Sequence, residues 1–184
     1  MQVRSRVLLN MILLVGAQAA GAQELQSGPQ AGKSLPGPFS PLNIETGRKD
    51  DIVDAFGNKP VILIFAKRVG PNFKSLVKQI DQRVGKENKK GKPVRAAAVM
   101  IAEDDVKKKL SDFRVAEGIS NVVLAIDRPG GPPGYELSKD AEVTVILYER
   151  KEVRANHAFR KRELDEQAIS RIINDLTKIT EDMP

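Results

Sequence analysis

Val61-Ile62-Leu63-Ile64-Phe65-Ala66-Lys67-Arg68-Val69-Gly70-Pro71-Asn72-Phe73-Lys74 begins as a continuous apolar run and ends as the opening of a helix. An apolar run rich in β-branched residues, with no polar alternation, is the pattern of a strand covered on both faces. Pro71 stands early in the next element, where its missing N–H costs nothing. Beyond it, Phe73, Leu76, Val77, Ile80 and Val84 recur at three- and four-residue steps, so one face of this helix is expected to lie against a sheet.

The same alternation continues toward the C-terminus. Residues 94–102 read as a second strand, and Val106, Leu110 and Phe113 mark a second helix, with Asp104 and Asp105 as its cap and acidic first turn. A third buried strand is expected over 122–126, followed by a loop at 128–134 (RPGGPPG) that is too rich in proline and glycine for anything else. Residues 143–148 and 153–159 flank Glu149-Arg150-Lys151-Glu152 as an antiparallel hairpin. A last helix is expected from about Glu163, with Leu164, Ala168, Ile169, Ile172, Ile173 and Leu176 as its apolar stripe. Residues 86–92 (KENKKGK) read as a basic, solvated loop. Strands alternating with helices imply parallel pairing through right-handed crossovers, and the hairpin adds antiparallel strands. The expectation is one three-layer α/β domain with a mixed sheet.

The first 22 residues carry the parts of a secretory signal. Arg4 and Arg6 form a basic start, an apolar run from Val7 to Val15 follows, and Ala20-Gly21-Ala22 offers a small-residue cleavage site, with Ala19 as the neighbouring option. The run is shorter than the roughly 20 residues a membrane span requires. Residues 23–35, rich in Gln, Ser and Gly, read as a flexible leader, and the domain is expected over 36–184. With 184 residues, 41% of them hydrophobic, the chain has material for one sizeable core and too little for two ordinary domains. Removing the signal takes two cations from a formal charge of +6, and charges of both signs are interspersed along the rest. The chain has no cysteine, so in an oxidising compartment it is held by packing alone. Cysteine nucleophiles, thiolate metal sites and redox pairs are excluded.

The opening stretch resembles the strand, active-site loop and helix start of the thioredoxin family. The family's cysteine-glycine-proline-cysteine motif stands here as Val69-Gly70-Pro71-Asn72, with both sulfur positions lost and the glycine and proline kept. Residues 142–148 are similar to the family strand that is preceded by threonine and a cis-proline, with Val143 in the proline's place. A cis bond before a non-proline residue costs about 2.5 to 4 kcal/mol, so a trans peptide is expected there. The wider stretch from Gly131-Pro132-Pro133-Gly134-Tyr135 to Asn156-His157-Ala158-Phe159 resembles exported bacterial thioredoxin-like proteins of undefined role. The resemblance implies a thioredoxin-like three-layer sandwich over roughly 36–179, and brings Arg68, Val69, Gly70, Pro71, Asn72 and Val143 together at the carboxyl end of the sheet, where such folds take ligands.

Val69 offers a hydrocarbon and Asn72 an amide, so neither attacks a disulfide or a peroxide. No catalytic residue, metal ligand or cofactor is assigned. His157, the only histidine, lies in an alternating strand with no serine or carboxylate arrangement around it, and Glu103, Asp104 and Asp105 are explained by their place before a helix. The helix end beside Lys67 and Arg68 has the chemistry for an anion, against the simpler reading that both cations face water. The leading expectation is a redox-inactive, exported binding or scaffold module whose degenerate loop meets a protein of the cell envelope, with no specific nucleic acid as partner. The alternatives are a non-covalent accessory or holdase of a thiol-redox system, and a weak polyanion binder using residues 86–92 with Arg160-Lys161-Arg162.

Overall fold

The computed structural model describes residues 25–102 and 106–181. The signal segment, Glu103 and the capping roles expected of Asp104 and Asp105 lie outside them. The elements follow in the order β1 (Leu42–Asn43), α1 (Ile52–Phe56), β2 (Val61–Ala66), α2 (Pro71–Lys89), β3 (Arg95–Ile101), α3 (Lys107–Glu117), β4 (Val122–Asp127), β5 (Val143–Glu149), β6 (Glu152–Phe159), α4 (Glu166–Asp175) and α5 (Thr177–Thr180). They build one six-stranded mixed sheet in the order β1-β4-β3-β2-β5-β6. Strands β2, β3 and β4 run parallel, while β5, β6 and β1 pair antiparallel. The run read as a doubly covered strand is β2, whose six residues are all buried at the sheet centre.

Both parallel crossovers step the same way, from β2 to β3 and from β3 to β4, so a right-handed rule puts α2 and α3 on one face of the sheet. Alternate residues divide the core accordingly. Ile62, Ile64 and Ala66 of β2 join Phe73, Leu76 and Ile80 of α2, Leu110 and Phe113 of α3, and Ile169 and Ile172 of α4. Val61, Leu63 and Phe65 face the other way. That second face is covered by α1 and by irregular chain. Phe39, Phe65 and Tyr135 meet there with ring centroids 5.2 to 5.7 Å apart, and the Tyr135 hydroxyl donates to the Gly37 carbonyl at 3.0 Å. The proline- and glycine-rich loop is therefore part of a layer. Gly131 (φ 77°) lets it approach closely, because a Cβ there would lie 2.6 Å from the side chain of Leu137.

Three expectations are corrected. Residues 86–89 are helical, since α2 runs on to Lys89 and stops only before Gly91 at φ 82°; Glu87 is buried on its inner face, with Arg83 at 3.0 Å and Lys90 at 3.3 Å. The leader, expected to be mobile, straps the domain between Ser27 and Leu35. Gly32, Lys33 and Leu35 exchange backbone hydrogen bonds with Lys151 and Val153, and the Asn156 amide donates to the carbonyls of Ser27 and Pro29 at 2.9 and 2.8 Å. It is held largely through its backbone, by hydrogen bonds that hydrophobic periodicity does not register. The helix expected from about Glu163 is α4, which starts at Glu166 behind its cap Asp165 because Glu163 belongs to the preceding turn, and the short α5 follows it.

Candidate functional site

β2 delivers the loop to the carboxyl end of the sheet, where Gly70, extended at φ −103° and ψ 173°, is the N-cap of α2 with no side-chain cap. The first backbone bond is Lys74 N–H to Gly70 C=O at 3.0 Å. Pro71 has no N–H, so Asn72 and Phe73 carry the open donors of the first turn. Gly70 and Pro71 shape this helix start, and the flanking Val69 and Asn72 carry no sulfur.

Pairing with β2 sets Val143 opposite Ala66, three residues before Val69. The peptide bonds of the described residues are all trans, including the one before Val143. Glu142 spends its backbone internally: its N–H donates to Phe159 C=O at 2.7 Å and its C=O accepts from Lys67 N–H at 3.0 Å. Its carboxylate forms an ion pair with Arg68 across the loop. The structure thus brings Arg68, Val69, Gly70, Pro71, Asn72 and Val143 around one open cleft of about 460 Å³.

A further wall comes from Arg160, Lys161 and Arg162, which sequence reasoning had grouped elsewhere. The β5–β6 hairpin puts them there. Its turn residues Arg150 and Lys151 are both left-handed, at φ 52° and 63°, as a two-residue hairpin loop requires. A bulge between Leu147 and Tyr148 then shifts the register by one, so Phe159, not Ala158, faces Val143. Glu163 braces the turn that follows, donating its N–H to Arg160 C=O at 3.1 Å and accepting the Arg160 N–H on its carboxylate at 2.6 Å. Arg162 sits in that turn at φ 71°, a conformation that favours glycine.

Other candidates are placed apart. Lys67 neither points at the helix start nor simply faces water: its ammonium donates to the carbonyls of Ser138 and Lys139 at 3.4 and 2.6 Å and ties down the loop before β5. Residues 86–92 lie at the far end of α2, about 27 Å from its start at 1.5 Å per residue. The two basic segments proposed as one polyanion footprint are therefore at opposite ends of a helix. His157 faces α4, with Nε2 3.0 Å from the Asp175 carboxylate, whose other neighbour is Lys178 at 2.9 Å. Burial lowers the His157 pKa from its ordinary 6.5, outweighing the opposing pull of Asp175. Among the described residues no three side chains of His, Asp or Glu converge as a metal cluster, and no helix is long and apolar enough to cross a membrane.

The cleft is lined by hydrocarbon from Val69, Phe73, Val143 and Leu164, by the cations Arg68, Arg160, Lys161 and Arg162, and by the Glu142 carboxylate and the Asn72 amide. It has no sulfur, so the thiol–disulfide exchange of the resembling enzymes has no nucleophile here.

No family model matches the sequence, and no curated protein matches it. Solved structures do match the fold. A protein from Bacteroides thetaiotaomicron assigned as a disulfide isomerase superposes with a TM-score of 0.63 at 14% identity, covering 86% of this chain and 96% of that one. The peroxidoxin BcpB of Mycobacterium tuberculosis gives a TM-score of 0.56 at 15% identity over 85% of this chain and 99% of that one. A secreted disulfide oxidoreductase of the same organism, homologous to DsbE of E. coli, gives 0.54 at 11% identity over 77% and 95%. The mixed sheet, the helix that starts after β2 and these superpositions agree, and the chain has the thioredoxin-like fold.

Proposed function

We propose that this protein is an exported, non-enzymatic binding module of the cell envelope, which holds a segment of another protein in the cleft around Val69, Gly70, Pro71, Asn72 and Val143. The observation that carries the reading is that cleft: an open, partly apolar concavity at the degenerate redox loop of a chain with no cysteine. A ligand site at the carboxyl end of the strands suits an open α/β sheet, and the loss of sulfur leaves contact as the chemistry on offer. Export rests on the N-terminal signal pattern, with cleavage near Ala22.

Affinity capture from the native envelope fraction tests the reading, with wild type compared against Val69→Glu/Asn72→Glu. Asn72→Glu places a carboxylate in the first turn, where it favours the helix, while Val69 packs partly against the core, so the variant's melting temperature is measured beside that of wild type to establish that it is folded. A protein retained by wild type in high salt and lost by the variant is the expected result. An identical set of captured proteins from both would sink the assignment.

A further inference from the structure

The cleft's chemistry narrows what it takes, on the reading just given. Backbone pairing at Glu142 is closed to a visitor, since its N–H and C=O are both bonded within the domain. Recognition therefore falls to side chains. Of the cations on the rim, Arg68 is paired with Glu142 and Arg160 lies 3.7 Å from Glu163, while Lys161 and Arg162 form no ion pair among the described residues. Both are exposed beside the buried Leu164. We infer that the occupant is an acidic stretch of a partner protein, in which apolar side chains meet the partly exposed Val69 and interspersed Asp or Glu side chains meet Lys161 and Arg162.

The conformation of Arg162 bears on the same point. At φ 71° it occupies the third position of the turn that Arg160 and Glu163 close, where glycine carries no steric penalty and arginine does. A guanidinium is thus held at the rim in a backbone state that disfavours it. Removing that charge by Arg162→Gly relieves the backbone instead of damaging the fold. A nucleic acid fits the cleft poorly, because bases bind on exposed aromatic faces and the aromatic side chain here, Phe73, is only 3% exposed. A sulfated polysaccharide has charge but nothing for the hydrocarbon at Val69.

The experiment is fluorescence anisotropy on protein expressed from the complete sequence, with a short labelled peptide alternating Glu with Leu and Val. The same peptide carrying Gln for Glu, and heparin fragments, are the comparison probes. The acidic peptide binds, and its Gln counterpart binds about tenfold more weakly or worse. Lys161→Glu and Arg162→Gly each weaken the acidic peptide several-fold, and Arg162→Gly holds or raises the melting temperature. Lys86→Glu/Lys89→Glu, a charge change at the far end of α2, leaves binding within twofold. Equal binding of both peptides, no binding of either, an equal loss in the Lys86/Lys89 variant, or tighter heparin binding with the same dependence on Lys161 and Arg162 would each overturn the inference. If the captured partner is lost with Val69→Glu/Asn72→Glu but kept with Lys161→Glu and Arg162→Gly, the cleft stands as the site and only its acidic occupant falls.

Discussion

The Ser27 hydroxyl lies 2.7 Å from that of Thr144, a buried hydrogen bond between residues 117 positions apart. Ser27 also accepts the Ser138 N–H at 3.0 Å. One side chain of the N-terminal strap thus joins β5 to the loop that precedes it. Ser27→Ala leaves a buried threonine hydroxyl and a part-buried N–H without this partner, which costs about 1–3 kcal/mol. Urea unfolding followed by circular dichroism is expected to show a lower midpoint with an unchanged slope. An unchanged midpoint would mean that the strap is not part of the cooperative unit.

Asp81 does a comparable job on the opposite side. It is 7% exposed on α2, and its carboxylate accepts the N–H groups of Ser120, Asn121 and Val122 at 2.9, 2.6 and 3.1 Å and the Asn121 amide at 3.1 Å. These bonds fix the chain between α3 and β4. Asp81→Ala orphans the donors and is expected to cost about 2–4 kcal/mol, while Asp81→Asn keeps an oxygen for the three backbone N–H groups and costs less. The ordering of the two variants in thermal denaturation is the check.

The elements that hydrophobic pattern could reach were legible. The run at 61–65 and the stripe through Phe73, Leu76, Val77 and Ile80 carry β2 and α2 because burial itself writes the period. α1 escaped because it is five residues long, although its cap Asp51, which accepts the Asp54 N–H at 3.0 Å, and Gly57 at φ 63° are ordinary helix signals. That residues 68–72 and Val143 lie together was expected from the resemblance alone, and all of them line one cleft. Arg160, Lys161 and Arg162 were visible as a basic run, yet their place at the same cleft depends on a bulge at Leu147/Tyr148. Unbulged, the two-residue hairpin would set Val143 against Ala158, and nothing in the alternation of that strand marks the slip.

The open start of α2 should still act on a thiol placed before it. Val69 immediately precedes the N-cap Gly70, and no side chain caps the helix. Val69→Cys is expected to titrate below the ordinary thiol value of about 8.5, because the unsatisfied N–H groups favour the thiolate. Arg68 adds little, since its charge is matched by Glu142. Alkylation rate against pH reads the value directly. A pKa at or above the ordinary one would show that the helix end exerts no such electrostatic influence.

His157 makes stability depend on mild acid in a predictable direction. Burial lowers its folded-state pKa from 6.5, and Lys178 and Arg171 act the same way, against Asp175. The unfolded chain therefore takes up the proton first as the pH falls. The stability this group contributes is fully present above about pH 6.5 and is lost progressively as the pH drops through that value toward the folded pKa. Because the chain has one histidine, its imidazole resonances give the folded pKa by NMR without assignment. His157→Gln removes the titration, so its unfolding midpoint should fall less than that of wild type between pH 7.5 and 5. Parallel pH profiles for the two proteins, or a folded pKa above 6.5, would mean that the Asp175 carboxylate outweighs burial and that protonation tightens the β6–α4 contact instead of loosening it.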